Sequence, residues 1–268
     1  MRILVNGLLQ LDSGKTTFSL SLIRLFRKVG INFFPYKPIA GHNGWYSFNT
    51  LIRSDELGIL VGNDALKYFD ETHYDLRRIN PFATLFLPID LEKVNYNVSL
   101  YNMIMDYGFP YLVRVSDCIN NTDNYFVNSN SEAYVSKSIL KFLSNLSLKF
   151  NAKASSNLRE IIDMSPQLVD SCTLQIFREN ENVIIESYND SASPTYYSSN
   201  VDYVFITSPA KVFLVKGEEF RKVLSLFSIP PWNIKTSSLI KYLKIEKSFE
   251  IDVGESIAKE EILDAIID

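Results

Sequence analysis

The residues best suited to chemistry lie near the start of the chain, where a lysine and two threonines follow a pair of glycines. The sequence there reads MRILVNGLLQLDSGKTT. The backbone N–H groups of Ser13, Gly14 and Lys15 can surround a chain of phosphates, especially where they open a helix whose N-terminus carries partial positive charge. The Lys15 ammonium can bridge the β- and γ-phosphates, and the Thr16 hydroxyl can bind Mg²⁺. These residue types predict a nucleoside-triphosphate site.

The segments around this loop support the interpretation. The apolar run at 3–5 predicts a short buried strand, and residues 18–30 have helical character. The predicted phosphate-binding residues are Asp12, Ser13, Gly14, Lys15, Thr16 and Thr17. The usual spacing G-x-x-x-x-G-K-[ST] requires glycine at position 9. Leu9 stands there and the upstream glycine is Gly7, so an ordinary turn with a Gly-Lys pair is the competing interpretation.

Composition indicates a globular chain. It has 268 residues, of which 46% are hydrophobic, and a net charge of −4, so it can bury a large core. We expect one domain over 1–268 with an insertion at about 92–150. Apolar runs fall short of the ~18 residues that span a bilayer, and the start of the chain does not read as a signal peptide. We therefore expect a cytoplasmic protein without membrane contact.

The cysteine and charge patterns indicate which metal sites, disulfides and binding partners to expect. Cys118 and Cys172 are 54 positions apart and only two histidines accompany them, which predicts neither a zinc site nor a disulfide framework. The acidic balance and the lack of a Lys/Arg run disfavour a nucleic-acid partner. Nucleotide and a small-molecule acceptor are the expected partners, and a homodimer remains open.

Strand and helix patterns alternate along the chain. Strands are expected at 31–41, 111–117, 181–187 and 201–208, with a loop or strand at 79–88, an exposed hairpin or loop at 120–131, and a strand, turn and helix over 211–228. Helices are expected at 54–71, 131–150 and 255–268, with one or two more at 155–179. This alternation predicts an α/β fold, namely a three-layer P-loop NTPase fold with a mostly parallel sheet flanked by helices on both faces.

In such a sheet, ligands bind beyond the carboxyl ends of the strands. The segments that follow the predicted strands there are 7–17, 37–43 and 186–190. We expect these three segments to converge. Glu186 follows the apolar run NVII, where a carboxylate can face the phosphate loop. A plain strand-end carboxylate is the alternative.

Four short motifs resemble dethiobiotin synthetases and their relatives among the SIMIBI-type P-loop proteins. In order, they are GLLQLDSGKTT (7–17), YKPIAG (36–41), NDAL (63–66) and INPFA (79–83). Together they cover about a third of the chain. The resemblance implies the same fold and an ATPase or an ATP-dependent synthetase or ligase.

The resemblance also implies roles for single residues. Lys15 and Thr16 would hold the phosphates and Mg²⁺, Lys37 would reach the γ-phosphate or an anionic acceptor, and Asp64 would be a second Mg²⁺ ligand. Triphosphate chemistry independently requires cations on the transferred group and a carboxylate on the metal. With Glu186, this gives Lys15, Lys37 and Glu186 as catalytic residues, and Thr16, Asp64 and Glu186 as metal ligands. The alternatives are a solvent-exposed strand-end Lys37 and a helix-capping Asp64.

The chain departs from the family after Glu186. The family has Glu-Gly-Ala-Gly-Gly at this point, whereas the present sequence is ESYNDSASP (186–194). Losing the glycines changes the backbone that approaches the substrate. The segment GHNGWYS (41–47) places His42, Asn43, Trp45 and Ser47 where relatives contact the acceptor, although an ordinary aromatic loop is equally compatible. We therefore expect an acceptor different from that of dethiobiotin synthesis.

The predicted function is Mg²⁺-dependent binding of ATP, or GTP, with hydrolysis or γ-phosphoryl transfer to a small anionic acceptor. The run DSGKTT also resembles the phosphate loop of RNA 5′-hydroxyl kinases, so a polynucleotide or small-molecule kinase is one alternative. A nucleotide-dependent regulatory switch is the other. The sequence does not identify the base.

Overall fold

The computed structural model describes residues 1–10, 12–251 and 260–267. It is an α/β fold with two mixed sheets flanked by helices. The strands are β1 (Arg2–Gly7), β2 (Phe34–Tyr36), β3 (Ile39–Asn43), β4 (Phe82–Leu87), β5 (Phe109–Asp117), β6 (Thr122–Asn128), β7 (Lys153–Ser155), β8 (Val183–Glu186), β9 (Tyr203–Ser208), β10 (Lys211–Lys216) and β11 (Lys247–Glu250).

Helices connect most of these strands. The α-helices are α1 (Lys15–Lys28), α2 (Phe48–Leu57), α3 (Asn63–Thr72), α4 (Leu76–Ile79), α5 (Val98–Tyr107), α6 (Ser131–Tyr134), α7 (Lys137–Lys149), α8 (Leu158–Asp163), α9 (Ser165–Leu168), α10 (Asp170–Glu179), α11 (Gly217–Leu224), α12 (Thr236–Leu239) and α13 (Glu260–Ile267). Short 3₁₀ turns cover Leu91–Val94, Tyr197–Ser199, Pro231–Asn233 and Ile240–Tyr242. In the described part of the chain, every helix is too short or too polar to cross a membrane.

The first sheet has the strand order β11-β10-β9-β1-β8-β2. Strands β9, β1, β8 and β2 are parallel, and β10 and β11 add an antiparallel edge. Both β1 and β8 are apolar and buried almost throughout, as expected of parallel strands covered on two faces. Helix α1 packs on this sheet through Phe18, whose ring centroid lies 5.1 Å from that of Phe205. The parallel block therefore carries the carboxyl ends of β1, β8 and β2 to one edge.

The second sheet has the order β3-β4-β5-β6-β7. Strands β3 and β4 are parallel, as are β6 and β7, whereas β4, β5 and β6 run antiparallel in sequence. It has its own apolar cluster, in which Leu85 and Leu112 of the sheet pack with Leu143 and Leu146 of α7. The described chain therefore has two mixed sheets instead of the expected single, mostly parallel one.

The point of division is the Lys37-Pro38 step. The predicted strand 31–41 forms β2 in the first sheet and β3 in the second. Pro38 cannot donate a backbone hydrogen bond, and around it Lys37 N donates to the carbonyl of Ile79 at 2.7 Å while Phe82 N donates to the carbonyl of Pro38 at 3.1 Å. These bonds tie the crossing point to the start of β4. The prediction of a single strand was therefore wrong.

Two predicted helices are also interrupted. The segment 54–71 contains the end of α2 and all of α3 except its last residue. The two helices are separate because Gly58 ends α2 with φ 67°, a conformation that glycine adopts at low cost. The segment 131–150 contains α6 and α7, separated by extended backbone at Val135.

The remaining expectations are mostly confirmed. The helix after the phosphate loop, the strands at 111–117, 181–187 and 201–208, and the strand and helix over 211–228 all form. The stretch 79–88 contains β4, 120–131 contains β6 in a hairpin with β5, and 155–179 contains α8 to α10. Of the predicted helix 255–268, residues Glu260–Ile267 are helical. Leu11 of the phosphate loop, residues 252–259 and Asp268 lie outside the described residues.

The two cysteines form a disulfide, contrary to the sequence prediction. The Sγ atoms of Cys118 and Cys172 lie 2.18 Å apart. Cys118 follows β5, and Cys172 lies on α10, whose Ile176 and Phe177 belong to the core of the first sheet. The fold brings together two residues whose spacing in sequence carries no pairing signal. The bond links the second sheet to a helix of the first.

Replacing both cysteines by serine is expected to lower the free energy of unfolding by about 2–4 kcal/mol, because the link restricts a long loop in the unfolded chain. Urea unfolding in non-reducing buffer measures the difference. Adding dithiothreitol should lower the unfolding midpoint of the wild type to that of the variant and leave the midpoint of the variant unchanged. A wild-type midpoint that does not respond to reductant would contradict the assignment.

Candidate functional site

The loop between β1 and α1 is closed by its own hydrogen bonds. The Ser13 hydroxyl donates to the carbonyl of Leu9 at 2.7 Å and lies 3.1 Å from the Leu9 amide nitrogen. Gly14 precedes the first residue of α1 with φ 77°, in the left-handed region that glycine tolerates. The loop therefore leads directly into the N-terminus of a 14-residue helix.

Lys15 folds back over this loop. A Cβ added at Gly7 would lie 2.7 Å from Ser13 Oγ and 2.8 Å from Lys15 Nζ, so a larger residue at position 7 would collide with both. The Lys15 ammonium donates to the carbonyl of Asn189 at 2.8 Å. Its burial and the nearby Lys37 ammonium lower the pKa of Lys15, against the opposing effect of nearby carboxylates.

Thr16 brings the two predicted carboxylates together. Its Oγ1 lies 2.9 Å from Asp64 Oδ1 and 3.0 Å from Glu186 Oε1. The three residues come from α1, α3 and the end of β8, and the two acidic residues are 122 positions apart in sequence. The structure thus places both predicted carboxylate ligands within hydrogen-bond distance of the third predicted ligand, the Thr16 hydroxyl.

Lys37 lies against the same carboxylates. Its Nζ is 2.6 Å from Glu186 Oε1, 3.3 Å from Asp64 Oδ2 and 3.0 Å from the carbonyl of Ser187. Lys37 is 3% exposed and Glu186 is 1% exposed, so Lys37 is not a solvent-exposed strand-end lysine. Burial alone lowers the pKa of Lys37, but the Glu186 and Asp64 carboxylates outweigh it and raise that pKa.

Asp64 lies in the first turn of α3, and the hydrogen bond and ion pair of its carboxylate are with Thr16 and Lys37 rather than with the helix backbone. Burial raises the pKa of Asp64, whereas the Lys37 ammonium, the Thr16 hydroxyl and Lys67 lower it more, so the net shift is downward. The carboxylate is therefore held in its charged form by the site rather than by the helix end.

Tyr68 is a site residue that the sequence analysis missed. Its hydroxyl donates to Glu186 Oε2 at 2.5 Å, which leaves Oε1 facing Thr16 and Lys37. Burial and the adjacent Glu186 carboxylate raise the pKa of Tyr68 well above its ordinary value, so it acts as a donor. The available signal was its position four residues after Asp64, which puts both on one face of α3.

Apart from Tyr68, the residues described above that carry the site line one cavity of about 330 Å³. The three segments predicted to converge all contribute to it. Its lining residues are Gln10, Asp12, Ser13, Gly14, Lys15, Thr16, Thr17, Lys37, Ala40, Gly41, Asp64, Lys67, Glu186, Tyr188 and Asn189. Every residue predicted for phosphate binding, metal binding or catalysis is among them.

A larger cavity of about 650 Å³ adjoins the first. The two share Ala40, Gly41, Tyr188 and Asn189, which follow Lys37 or Glu186 in the chain. Its walls come from β3, β4, α8, α9 and the turn at 230–233 and include four aromatic rings, those of Phe82, Phe86, Tyr188 and Trp232. Of the predicted acceptor residues, His42 and Asn43 line it, whereas Trp45 lines a separate apolar pocket.

The donor set fits a hard divalent cation. Among the described residues there is no group of three or more His, Cys, Asp or Glu side chains that could hold a metal, so a self-sufficient protein cage is not present there. One hydroxyl and two carboxylates are instead typical of Mg²⁺ sites that share the ion with phosphate oxygens and water.

His42 is 7% exposed, and within the described part of the chain neither ring nitrogen has a hydrogen-bond partner. Burial lowers the pKa of His42 to about 4. Because the unfolded chain binds this proton first as the pH falls, stability should be lost on acidification below about pH 6.5.

Between pH 7 and pH 4.5, His42 should account for about 2–3 kcal/mol of the loss in the free energy of unfolding, given 1.4 kcal/mol per unit of pKa difference. Urea unfolding of the wild type and of His42→Asn at both pH values measures it. The variant should lose less stability on acidification by that amount. An equal loss in the two proteins would show that His42 is not buried in its neutral form.

Comparisons with protein-family models, with curated proteins and with solved structures found no match to this chain. The geometry of the site therefore carries the functional argument.

Proposed function

We propose that this protein binds a nucleoside triphosphate, ATP or GTP, together with Mg²⁺ at the β1–α1 loop, in a P-loop type of fold. It hydrolyses the nucleotide or transfers its γ-phosphoryl group to a small molecule in the adjoining cavity. The observation that carries the proposal is the Thr16 hydroxyl between the Asp64 and Glu186 carboxylates.

In that arrangement the Thr16 hydroxyl faces two hydrogen-bond acceptors at once. The Thr16 hydroxyl has a single hydrogen and can donate it to only one of the two carboxylates, although both lie within 3.0 Å. Neighbouring ligands at right angles around Mg²⁺ are about 2.9 Å apart, since each lies about 2.1 Å from the ion. The observed oxygen separations match that value. A divalent cation shared by Thr16, Asp64 and Glu186 satisfies all three oxygens.

The surrounding cations suit a triphosphate. Lys15 and Lys37 both line the 330 Å³ cavity, and the N-terminus of α1 adds the positive end of its dipole. Two ammonium groups and the backbone amides of the loop can oppose the charge of a phosphate chain. The structure thus supplies the electrostatic groups that phosphoryl transfer depends on.

The residues divide the chemistry between them. A bound Mg²⁺ supplies charge neutralisation on the phosphate oxygens. Lys15 holds the phosphate chain, and Lys37 stabilises the charge on the transferred group. Glu186 fixes Lys37 through Oε1, while Tyr68 fixes Glu186 through Oε2. This preorganisation is what makes electrostatic stabilisation effective in a site that excludes water.

The adjoining cavity supports a small-molecule acceptor. Its volume of about 650 Å³ falls within the range of about 300–1,000 Å³ typical of small-molecule pockets. It shares with the first cavity the residues that follow Lys37 and Glu186, and the transferred group would lie at this shared end. Tyr188 and Asn189 form part of the shared wall, where dethiobiotin synthetases have glycines, and this favours a different acceptor.

Lys15→Ala should abolish Mg²⁺-dependent release or transfer of the γ-phosphate from ATP and GTP and weaken nucleotide binding, because a cation on the phosphates is lost. Phosphate release and isothermal titration with each nucleotide measure the two effects. The matched control is Lys28→Ala, which removes an exposed lysine from the other end of the same helix and should behave as wild type.

Thr16→Ala should still bind nucleotide at high Mg²⁺, but the Mg²⁺ concentration that gives half-maximal nucleotide binding should be higher than in the wild type.

Unchanged turnover in Lys15→Ala, or no binding of either nucleotide by the wild type, would contradict the proposed function. Nucleotide binding without turnover, coupled to association with another protein, would favour the regulatory switch instead.

A further inference from the structure

Arg114 lies in the middle of β5 and, among the residues that the structure describes, has the largest of the fully buried side chains, with 0% exposure. Its Nε donates to the carbonyl of Leu60 at 2.9 Å, and its Nη2 donates to the carbonyl of Asn80 at 2.6 Å. Nη1 contacts the Ser116 hydroxyl and lies 3.7 Å from Asp123 Oδ1. Burying a guanidinium is costly unless its donors are bonded. The partners of this side chain are therefore expected to be fixed in place.

The hydrogen bond from Arg114 Nε to Leu60 connects Arg114 with the segment that carries Asp64. Leu60 belongs to the short connection between α2 and α3, and its carbonyl precedes Asp64 by four residues. Val61 N in the same connection donates to the Ser54 hydroxyl at 3.0 Å, and Leu66 N closes the first turn of α3 onto the carbonyl of Gly62. The start of α3, and with it Asp64, is thereby placed relative to the second sheet.

The hydrogen bond from Arg114 Nη2 to Asn80 connects Arg114 with Lys37. The side-chain amide of Asn80 donates to the carbonyl of Lys37 at 2.7 Å and to the carbonyl of Phe82 at 2.9 Å. The amide of Lys37 in turn donates to the carbonyl of Ile79 at 2.7 Å. The backbone of Lys37 is thus bonded on both sides to 79–80, which Arg114 holds from the second sheet.

We propose that Arg114 is a positioning residue that sets the location of the Lys37 ammonium relative to the Asp64 carboxylate. These two groups lie 3.3 Å apart but are carried by separate segments. The Arg114 guanidinium is bonded directly to the segment of Asp64, through the Leu60 carbonyl, and is connected to Lys37 through Asn80. A lysine at this position retains the charge but not the planar fork that reaches several carbonyls at once. The consequence for Mg²⁺ and nucleotide rests on the proposed function, whereas the placement of the two segments does not.

The test compares Arg114→Lys with Arg77→Lys. Arg77 binds Asp123 Oδ2 at 2.8 Å, so its replacement disturbs the same carboxylate from α4 and serves as the matched control. Two readouts are needed, namely hydrogen exchange of peptides covering 36–40 and 60–66 in the nucleotide-free protein, and the Mg²⁺ concentration that gives half-maximal nucleotide binding.

In Arg114→Lys, exchange should become faster in both peptides, because their local opening becomes easier, and the Mg²⁺ requirement should rise about tenfold, as for residues that orient metal ligands. Arg77→Lys should change neither. A purely structural role for Arg114 predicts a lower unfolding midpoint with evenly faster exchange and an unchanged Mg²⁺ requirement, and that result would overturn the proposal.

If Arg114→Lys does not fold, Asn80→Ala removes the side-chain bonds of Asn80 to Lys37, Phe82 and Arg114 and leaves the bond from Arg114 to Leu60 in place. It should speed exchange in 36–40 and leave 60–66 unchanged, and unaltered exchange in 36–40 would overturn the proposal. A wild type that binds no Mg²⁺-nucleotide refutes the proposed function instead, and the exchange data still decide whether Arg114 places the two segments.

Discussion

The buried ion pair between Lys37 and Glu186 is the interaction on which the candidate site depends. Its atoms lie 2.6 Å apart, and both side chains are nearly inaccessible to solvent. Neither charge could be buried alone, because removing a partner leaves an uncompensated ion. The remaining hydrogen-bonding capacity is taken up by Ser187, Tyr68 and Thr16. The pair therefore fixes the carboxyl ends of β2 and β8 relative to α1.

The chain passes from the first sheet to the second at Lys37-Pro38, so the Lys37–Glu186 ion pair lies at this crossing point. Lys37 ends the contribution of β2 to the first sheet, and two residues later β3 begins the second. The β1–α1 loop follows a strand of the first sheet, whereas much of the larger cavity is lined by the second. The site thus lies where the two sheets meet, and hydrogen bonds through Asn80 and Arg114 connect them there.

Much of the first sheet and its loops could be predicted from the sequence because the signals are local. Apolar runs mark β1, β8 and β9, and the glycine-lysine-threonine run marks the loop. The meeting of Asp64 with Glu186 was also expected, because Glu186 ends a strand at the ligand-binding edge of the sheet and the family resemblance implies that Asp64 binds the same metal. The roles of these residues in metal binding and catalysis stay predictions.

The second sheet, the disulfide and Arg114 could not be predicted, because each depends on contacts distant in sequence. The stretch 31–41 is a continuous strand-like pattern, and hydrophobic periodicity does not specify which strands pair. Cys118 meets Cys172 only because the β5–β6 hairpin ends beside α10. Arg114 stands within the apolar run YLVRV, where a charge cannot be recognised as buried until its partners are known.

The most direct test of the central claim is a crystal structure with Mn²⁺ and a non-hydrolysable ATP analogue, in which anomalous scattering locates the ion. The account predicts the ion at metal–oxygen bonding distance, about 2.1 Å for Mg²⁺, from Thr16 Oγ1 and from at least one of the Asp64 and Glu186 carboxylates, with the phosphates on Lys15. An ion bound away from Thr16, or an analogue bound outside the β1–α1 loop, would contradict it.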